Sequence, residues 1–526
     1  MIVCVSTERQ MKFVAKSQLK TGAIMSYLNM ALGTLIPMFY TPLMLEFLGQ
    51  NEYGLYKLSG TVISYLSLIS FGIGSAVVRY LVKFKTEGDK DGLQKIFGLF
   101  NVIFTIVSLI ALIAGAVLVV CVPFIYSNSL SSDELLKMQI MIGLLTVNTA
   151  VSFTTTAYNG VVTCFEKFIF LQLVNIIATV LVPVSNIIVL LMGYKSIGMT
   201  VVTLSLGIVT RIVYSVYVRC SIKVKPVYKN MPTHLIKELL IFSFWIFVSN
   251  IVNQLYASTD TMIIGAIPAL ATVGVAVYHV GAIFNHMMLS FTQGITSVLT
   301  PKINTAVFSG DNGEELTDLV IRFGRLQAYI VAIVCSGFIV FGQDFILLWA
   351  GKGYEEAYWV ALLTMVPSCV PLMQSVALNI IVAQNKHRFR ALVYLAIAII
   401  NVGGTLVAVN YWGIVGAAAV SCVAYIIGQL FVMNWYYWKK IKLNIPRFWK
   451  SVANIFVAPV ILGVSFSVAN IYIDFNSWIR LFAGIGTFAV LFVLISWFFA
   501  MNDYEKDIFR GPVKKIFRKL FGKVKR

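Results

Sequence analysis

Charged side chains are scarce in this chain, and their scarcity excludes an ordinary water-soluble protein. Only 12% of the 526 residues are charged, whereas 59% are hydrophobic, and the mean hydropathy is +0.85. No hydrophilic stretch exceeds about thirty residues, which is less chain than a single soluble core requires. The sequence therefore leaves no room for a soluble catalytic domain.

Several motifs that carry chemistry are also missing. The phosphate-binding loop GxxxxGK[ST] is absent, so nothing indicates that the chain hydrolyses nucleotide itself. The seven cysteines are dispersed without metal-ligand spacing or a disulfide framework, and they are predicted to be buried small apolar residues. Residues 1–20 lack the apolar core and cleavage site of a secretory signal peptide.

Long apolar stretches recur along the chain instead. A membrane-spanning helix needs about 20 mostly apolar residues, and this pattern predicts an all-α, polytopic membrane protein with about fourteen transmembrane helices. The uncharged run 391–438 is divided at the turn-like cluster Asn410–Gly413. The predicted spans, numbered 1 to 14, are 21–48, 54–82, 96–126, 136–164, 168–192, 197–220, 238–264, 271–300, 323–350, 357–383, 391–410, 414–438, 451–474 and 479–501.

Positive charge is concentrated in every second joint between spans. Of the 41 Lys and Arg residues, 35 lie in the amino-terminal arm, the carboxy-terminal tail or alternate joints, five lie in the other joints, and Arg211 lies inside a span. This is the positive-inside bias of membrane proteins. It predicts that both termini are cytoplasmic, and it explains the net charge of +19 without a nucleic-acid partner.

A short internal repeat predicts two related lobes. Tyr56 and Tyr278 are each followed sixteen residues later by a Gly-Ile-X-Ser segment, and the two copies are 222 positions apart. Transporters often contain such repeated halves. The predicted organisation is an amino-terminal arm at 1–20, a first lobe of spans 1–6 at 21–220, a linker at 221–237, a second lobe of spans 7–12 at 238–438, spans 13–14 at 451–501 and a tail at 502–526.

The tail has the pattern of an amphipathic helix. Apolar residues recur at helical spacing from Val513 to Val524, and seven Lys and Arg residues fill the opposite face. Such a helix is expected to lie on the anionic lipids of the inner leaflet, where it would serve as an anchor.

Polar side chains line one face of three spans. Lipid penalises such faces, so they are expected to point toward partner helices or a wet cavity. For each Asn, Ser or Gln, hydrogen bonding between helices remains an alternative to function. The faces comprise Lys57, Thr61, Ser64, Ser75 and Arg79 on span 2, Asn250, Asn253 and Asp260 on span 7, and His279, His286, Ser290, Gln293 and Ser297 on span 8.

Three charged residues inside spans are functional candidates, because a central charge costs about 3 kcal/mol on insertion scales. They are Arg211, Arg79 and Asp260. Arg79 lies near the end of its span, so snorkelling of its side chain to the surface is the alternative interpretation. For Asp260 the alternative is a salt bridge to a neighbouring cation.

The glycine and tyrosine motifs resemble those of a known family. Leu48–Tyr56, continuing through Phe71–Ala76, resembles the opening of bacterial polysaccharide transporters. These are the O-antigen (Wzx-type) and related lipid-linked oligosaccharide flippases of the multidrug/oligosaccharidyl-lipid/polysaccharide (MOP) exporter superfamily. Asp260–Gly265, followed by Tyr278, is similar to the start of their second lobe, and Gly351–Ala357 resembles the short joint after their ninth span.

This resemblance implies two six-helix lobes around a cavity that opens alternately to each side of the bacterial cytoplasmic membrane. The implied substrate is an oligosaccharide linked to undecaprenyl pyrophosphate. Arginine forms bidentate, charge-assisted hydrogen bonds to such an anion. The predicted pyrophosphate and sugar ligands are Arg211, Arg79, Lys57, Asn250, Asn253, His286 and Gln293.

Energy for transport is expected from a coupling ion, H⁺ or Na⁺, with Asp260 as the ion-coupling residue. No metal or organic cofactor is predicted, and polysaccharide polymerase machinery is a further candidate partner. Two alternatives to the flippase remain open. One is a multidrug or small-cation antiporter of the same fold, and the other is a membrane enzyme such as a glycan polymerase or ligase.

Overall fold

The computed structural model describes residues 2–308, 313–384, 386–470, 475–507 and 510. Within these ranges, the side chains of residues 2–20, 245, 293–302, 304–308 and 387–388 lie outside the description. Most of the predicted amphipathic tail, residues 511–526, is also outside the described residues.

The described ranges are almost entirely helical and contain no strand. The α-helices are Ile2–Ser64, Ile73–Thr86, Lys90–Tyr126, Ser132–Cys164, Phe168–Leu191, Lys195–Tyr217, Leu235–Ala266, Ala271–Phe308, Gly313–Ala350, Glu356–Met373, Ser375–Ala383, His387–Tyr425, Asn434–Lys439, Ile445–Ala453, Val457–Asn470 and Trp478–Ile495. Short 3₁₀ segments lie at Tyr65–Ser70 and Asn454–Phe456, and π-helical segments lie at Val218–Ile222, Ile426–Met433 and Ser496–Ala500.

Twelve helical segments in the described ranges are long and apolar enough to cross a membrane. Two of them, Thr21–Thr86 and Phe389–Lys439, have 66 and 51 residues. At about 1.5 Å per residue, each is far longer than the roughly 30 Å hydrocarbon core, so each supplies two spans. The prediction of about fourteen spans in an all-α membrane protein is therefore confirmed.

Glycine makes both of these double spans possible. The backbone leaves helical geometry inside the first helix at Gly49 (φ 73°, ψ 172°) and inside Phe389–Lys439 at Gly413 (φ 59°, ψ −145°). A side chain disfavours such positive φ values. The predicted division at Asn410–Gly413 falls on the second of these positions.

Side-chain caps fix the starts of two long helices. The Asp89 carboxylate accepts a hydrogen bond from the backbone N–H of Gly92 at 2.8 Å and caps span 3. Ser131 and Glu134 form a reciprocal capping box at the start of span 4. Each cap satisfies backbone donors that the first helical turn leaves unpaired.

Several predicted spans are interrupted where the sequence predicted continuous helices. Span 2 contains the 3₁₀ segment Tyr65–Ser70, followed by left-handed Phe71 and Gly72. A Cβ on Gly72 would lie 2.8 Å from the Ile246 side chain, so the close approach of span 7 requires glycine here. Span 10 is broken at Gln374, and span 12 contains a π-helical segment.

The chain is organised as two compact units. The first comprises Met1–His279 and Ala398–Ala417. Its core is built from large buried side chains of spans 3 and 4, including Phe97, Phe100 and Tyr158.

Span 2 approaches the start of span 8 very closely within this first unit. A Cβ built on Gly54 would lie 1.8 Å from the carbonyl oxygen of Thr272. Only glycine therefore allows the two backbones to meet at this point.

The second unit comprises Val280–Ile397 and Ala418–Arg526. Phe341 of span 9 lies at the centre of an aromatic cluster, with ring centroids 5.3–5.9 Å from Phe466, Phe475 and Phe488. The rings meet edge to face, the geometry that aromatic quadrupoles favour. This cluster attaches spans 13 and 14 to span 9.

A pair of stacked rings recurs along the chain. Phe170 stacks on Tyr217 with centroids 3.6 Å apart, and Phe389 stacks on Tyr436 at 4.2 Å. Both members of the second pair lie 219 positions after those of the first, close to the offset of the sequence repeat. The lobe boundaries at 21–220 and 238–438 remain a prediction.

Candidate functional site

Asp260 lies at the centre of a buried polar cluster in the first unit, here called the Asp260 cluster. The residue is only 3% exposed. The hydroxyl of Tyr278 donates to its Oδ2 at 2.7 Å, and Thr405 donates to Oδ1 at 3.2 Å. The amide of Asn401 lies 3.5 Å from the same Oδ1. Neutral donors thus supply hydrogen bonds to both carboxylate oxygens, as a buried acceptor requires.

Three helices assemble this cluster. Asp260 comes from span 7 and Tyr278 from span 8, while Asn401 and Thr405 are four residues apart and share one face of span 11. The sequence alone indicated Asp260 but not the other three residues as its partners. The available signal was the pair of polar residues at helical spacing within the uncharged run 391–438.

A row of hydrogen bonds runs from this region along span 7 to span 2. Tyr65 and Thr259, the residue before Asp260, are hydrogen-bonded at 3.0 Å. The Gln254 amide donates to Ser64 and, at 2.7 Å, to Ser258. The polar face predicted on span 2 is therefore partly engaged, through Ser64, in hydrogen bonding between helices.

Arg211 is a half-buried residue of the first unit that lies beside span 4. Its Nε donates to Thr154 Oγ1 at 3.0 Å, and its guanidinium lies over the ring of Tyr158, 3.9 Å from the centroid. The buried Nη1 has no hydrogen-bond partner among the described residues. An unpaired buried donor costs about 1–3 kcal/mol, so the position is suited to an incoming acceptor.

The other two predicted cationic ligands have different surroundings. Arg79 is exposed, and its guanidinium lies 4.7 Å from the ring centroid of Phe242 on span 7. Lys57 is half-buried, with Nζ 5.2 Å from the ring centroid of Tyr53 and 5.9 Å from that of Tyr56. The described contacts of Arg211, Arg79 and Lys57 thus run to separate neighbours.

The predicted sugar ligands are largely on helix surfaces. Asn250, Asn253 and His286 are exposed. The side chain of Gln293 lies outside the described residues. The structure therefore places Asp260 and Arg211 in packed polar surroundings and leaves the two asparagines and His286 exposed.

The motif Gly351–Ala357, in the joint after span 9, forms a compact turn. The backbone N–H of Gly353 donates to both carboxylate oxygens of Glu355, at 3.1 and 3.0 Å. These bonds stabilise the charged form and lower the pKa of the Glu355 carboxyl. Burial raises the pKa of the neighbouring Tyr354 to about 12.

The second unit contains a buried ion pair that the sequence alone did not indicate. Arg325 of span 9 contacts Glu505, which follows span 14, through Nε–Oε1 at 2.6 Å and Nη2–Oε2 at 3.0 Å. Arg325 also donates to the carbonyls of Ser451 and Ala500. The Tyr329 hydroxyl completes the network at 3.1 Å from Glu505 Oε2. The pair fastens spans 13 and 14 to span 9.

An apolar groove of about 820 Å³ lies between spans 9, 10, 12 and 13 of the same unit. Val366, Val460 and Val464 line it and are 45–62% exposed. The groove therefore presents apolar side chains to its open side. The lining residues are Ala332, Cys335, Ser336, Ile339, Val366, Cys369, Val370, Met373, Leu430, Trp449, Phe456, Pro459, Val460, Gly463, Val464, Ser467 and Val468.

Comparison with solved structures shows which class of protein has this fold. The lipid II flippase MurJ in an inward closed conformation matches with a TM-score of 0.71 and 14% identity, covering 95% of this chain and 99% of that chain. An inward-facing multidrug resistance MATE family transporter of the MOP superfamily matches with a TM-score of 0.60 and 15% identity, covering 81% and 99%. The chain is thus a multi-pass membrane protein with the fold of these transporters.

A third structure with the same fold has a different binding pocket. A MOP superfamily transporter from Pyrococcus furiosus, described by a reversed polarity of its binding pocket that suggests a different function, gives a TM-score of 0.55 at 16% identity. The alignment covers 80% of this chain and 97% of that chain. One fold therefore hosts pockets of different polarity.

The amino-acid sequence shows which protein family the chain belongs to. The chain belongs to the family of polysaccharide biosynthesis proteins, whose pattern matches residues 43–359. This result, together with the fold, confirms the resemblance to polysaccharide transporters of the MOP superfamily. A search of curated protein sequences gives no match.

Proposed function

We propose that the chain is a flippase that moves an undecaprenyl-pyrophosphate-linked oligosaccharide from the cytoplasmic to the outer leaflet of the bacterial cytoplasmic membrane. The product would serve the synthesis of a surface polysaccharide. Membership of the polysaccharide biosynthesis family and the transporter fold support this proposal. The observation that carries it at the level of residues is the buried, unpaired Nη1 of Arg211.

A guanidinium held in this way is suited to a pyrophosphate. Thr154 and the Tyr158 ring fix the orientation of Arg211, so less side-chain entropy is lost when an anion binds. The free Nη1 supplies a charge-assisted hydrogen bond to a phosphate oxygen, which is about twice as strong as a neutral one. Arg79 and Lys57 would supply further positive charge during transfer.

The remaining parts of the substrate have matching surfaces. The exposed amides of Asn250 and Asn253 offer donors and acceptors for sugar hydroxyls. The polyprenyl chain would stay between helices, and the apolar groove beside spans 9 and 13 supplies such a surface. The basic tail would hold the cytoplasmic face against anionic lipids, and the polymerase machinery would receive the product.

Ion coupling is assigned to Asp260 in this proposal. Its carboxylate is buried among neutral donors, so binding of H⁺ or Na⁺ would change the charge at the junction of spans 7, 8 and 11. Asp260→Asn keeps the shape and removes this charge. The variant is expected to uncouple transport from the ion gradient. Unchanged gradient dependence in proteoliposomes would refute the role.

The substrate assignment is tested at Arg211. In a flippase-null strain, Arg211→Ala is expected to accumulate undecaprenyl-linked oligosaccharide on the inner leaflet, and Arg211→Lys to restore part of the transport, since lysine keeps the charge but not the forked geometry. Arg447→Ala is the control, because Arg447 lies in an exposed pair with Asp318. All variants are compared at equal abundance. Full complementation by Arg211→Ala would overturn the assignment.

Export of an organic cation is the alternative function, and the buried Asp260 carboxylate is the observation that favours it. Export of a dye cation that depends on Asp260 and not on Arg211 would support this alternative. Transport that depends on Arg211 would support the flippase.

A further inference from the structure

Two thiols meet in the interior of the second unit. Cys335 of span 9 and Cys369 of span 10 are free cysteines whose Sγ atoms lie 3.2 Å apart. Each is 9% exposed. The Cys335 Sγ also lies 3.6 Å from the sulfur of Met288 on span 8, and Cys369 Sγ lies 3.3 Å from the carbonyl oxygen of Met365. The thiols are therefore held against each other by packing on several sides.

The environment of these thiols determines which reagents reach them. Both cysteines line the apolar groove between spans 9, 10, 12 and 13. The valines of that groove are exposed on segments apolar enough to cross a membrane, so we expect the groove to face the hydrocarbon region, where charged reagents are disfavoured. Uncharged, lipid-soluble molecules therefore have the favoured route to the two sulfur atoms.

We propose that Cys335 and Cys369 form a dithiol that an uncharged, lipid-soluble two-electron oxidant converts to a disulfide between spans 9 and 10. A quinone is the chemical class of such an oxidant in a membrane. Two S–H bonds break, one S–S bond forms, and the two hydrogens with their electrons reduce the quinone to a quinol. The two cysteines line the groove assigned above to the polyprenyl chain, but the reaction itself does not require transport.

The apolar surroundings of the two thiols favour a reaction in which no charged species forms. Burial in apolar surroundings disfavours the thiolate, which is the nucleophile in ordinary thiol chemistry. The overall transfer leaves no net charge, so it avoids the cost of a separated ion in low dielectric. The Sγ atoms must approach from 3.2 Å to about 2.0 Å, a movement shared between two side chains.

The same location protects the oxidised form. Cytosolic thiol reductants are water-soluble and act through thiolates. A disulfide facing acyl chains is therefore expected to survive in a compartment that keeps exposed thiols reduced. The oxidised protein would carry a covalent link along the wall of the groove and would lose independent movement of spans 9 and 10.

The test uses the full-length protein in native membrane vesicles and diamide as the probe, since diamide is an uncharged azo compound that oxidises thiols. The first thiol adds across the N=N bond, and the second sulfur displaces nitrogen to give the disulfide and a hydrazine. Free thiols are then counted with a maleimide after denaturation. The linked peptides are identified by mass spectrometry before and after reduction.

Wild type is expected to lose two of its seven thiols, with the link between Cys335 and Cys369. Cys335→Ser and Cys369→Ser should each keep all six remaining thiols, whereas Cys422→Ser, the control, should still lose two. Tetrathionate, a dianionic oxidant, should produce the link at least tenfold more slowly. An unchanged thiol count in wild type, a different pair of linked cysteines, or equally rapid oxidation by tetrathionate would overturn the proposal. The wild-type measurement does not depend on the folding of any variant.

Discussion

Replacing Glu505 by glutamine removes one charge from the buried ion pair and keeps the shape of the side chain. Glu505 is 1% exposed. Its carboxylate accepts from Arg325, from the Tyr329 hydroxyl and from the backbone N–H of Asn502 at 2.9 Å. A glutamine offers one oxygen acceptor in place of two, and its amide donors face the donors of the guanidinium. Arg325 is then left as a buried cation without a counter-charge.

The expected loss of stability follows from burial. Removing one partner of a buried ion pair typically costs about 3–5 kcal/mol, because the remaining charge stays desolvated. The pair Arg447–Asp318 in the same unit has a similar separation, 3.0 Å, but its side chains are 54% and 62% exposed. Breaking an exposed pair costs about 0–1 kcal/mol. Glu505→Gln should therefore destabilise the protein by about 3 kcal/mol more than Arg447→Ala does.

The assay is reversible unfolding of the purified variants in one mixed-micelle system, followed by fluorescence and compared at a fixed micelle composition. A double variant, Arg325→Met with Glu505→Leu, removes both charges and is expected to recover much of the lost stability, since apolar replacement of buried pairs is often neutral. Equal losses in Glu505→Gln and Arg447→Ala would refute the reasoning. A double variant less stable than Glu505→Gln would also contradict it.

Three further perturbations have defined outcomes. Gly54→Ala should lower the free energy of unfolding by at least about 1–3 kcal/mol through overpacking. Gly60→Ala should leave it nearly unchanged, because no atom lies within 4 Å of the added Cβ. Unfolding in micelles compares the two variants, and equal losses of stability would contradict the prediction. Tyr278→Phe removes a bond to the Asp260 carboxylate worth about 1.5–3 kcal/mol, so the ion concentration for half-maximal transport should shift about tenfold or more while abundance is unchanged. The pKa of the Glu355 carboxyl is lowered in the folded protein. The ionised carboxylate therefore stabilises the fold above the unfolded pKa of about 4.3, and this contribution is lost as the pH falls through the folded pKa. The difference in melting temperature between wild type and Glu355→Gln should accordingly disappear at acid pH.

Hydropathy and turn signals predicted the fold well, because the bilayer imposes the same length on every span. The uncharged run 391–438 shows how far this reasoning extends. No charge marks its midpoint, yet the cluster Asn410–Gly413 located the break through glycine's access to positive φ. The sequence did not indicate the interruptions at Tyr65–Ser70 and Gln374, because helix breaks in membrane proteins depend on compensation by neighbouring helices.

The candidate site was predicted only in part, and the reason is sequence distance. Asp260 was recognisable by itself, since a carboxylate is rare in an apolar span. Its partners Asn401 and Thr405 lie more than 140 positions away on a span whose hydropathy is unremarkable. Glu505, the partner of Arg325, is likewise 180 positions away in the sequence. Periodicity within one helix carries no information about such pairings.

The glycines with positive φ at positions 49 and 413 also determine where the polypeptide resists proteolysis. At each position a single residue with non-helical φ and ψ separates two helices. A protease binds an extended segment of backbone, and these connections offer hardly any. Limited digestion should accordingly leave the chain uncut between residues 21 and 86. Epitope tags would have to be placed at other connections, such as the segment after Tyr217.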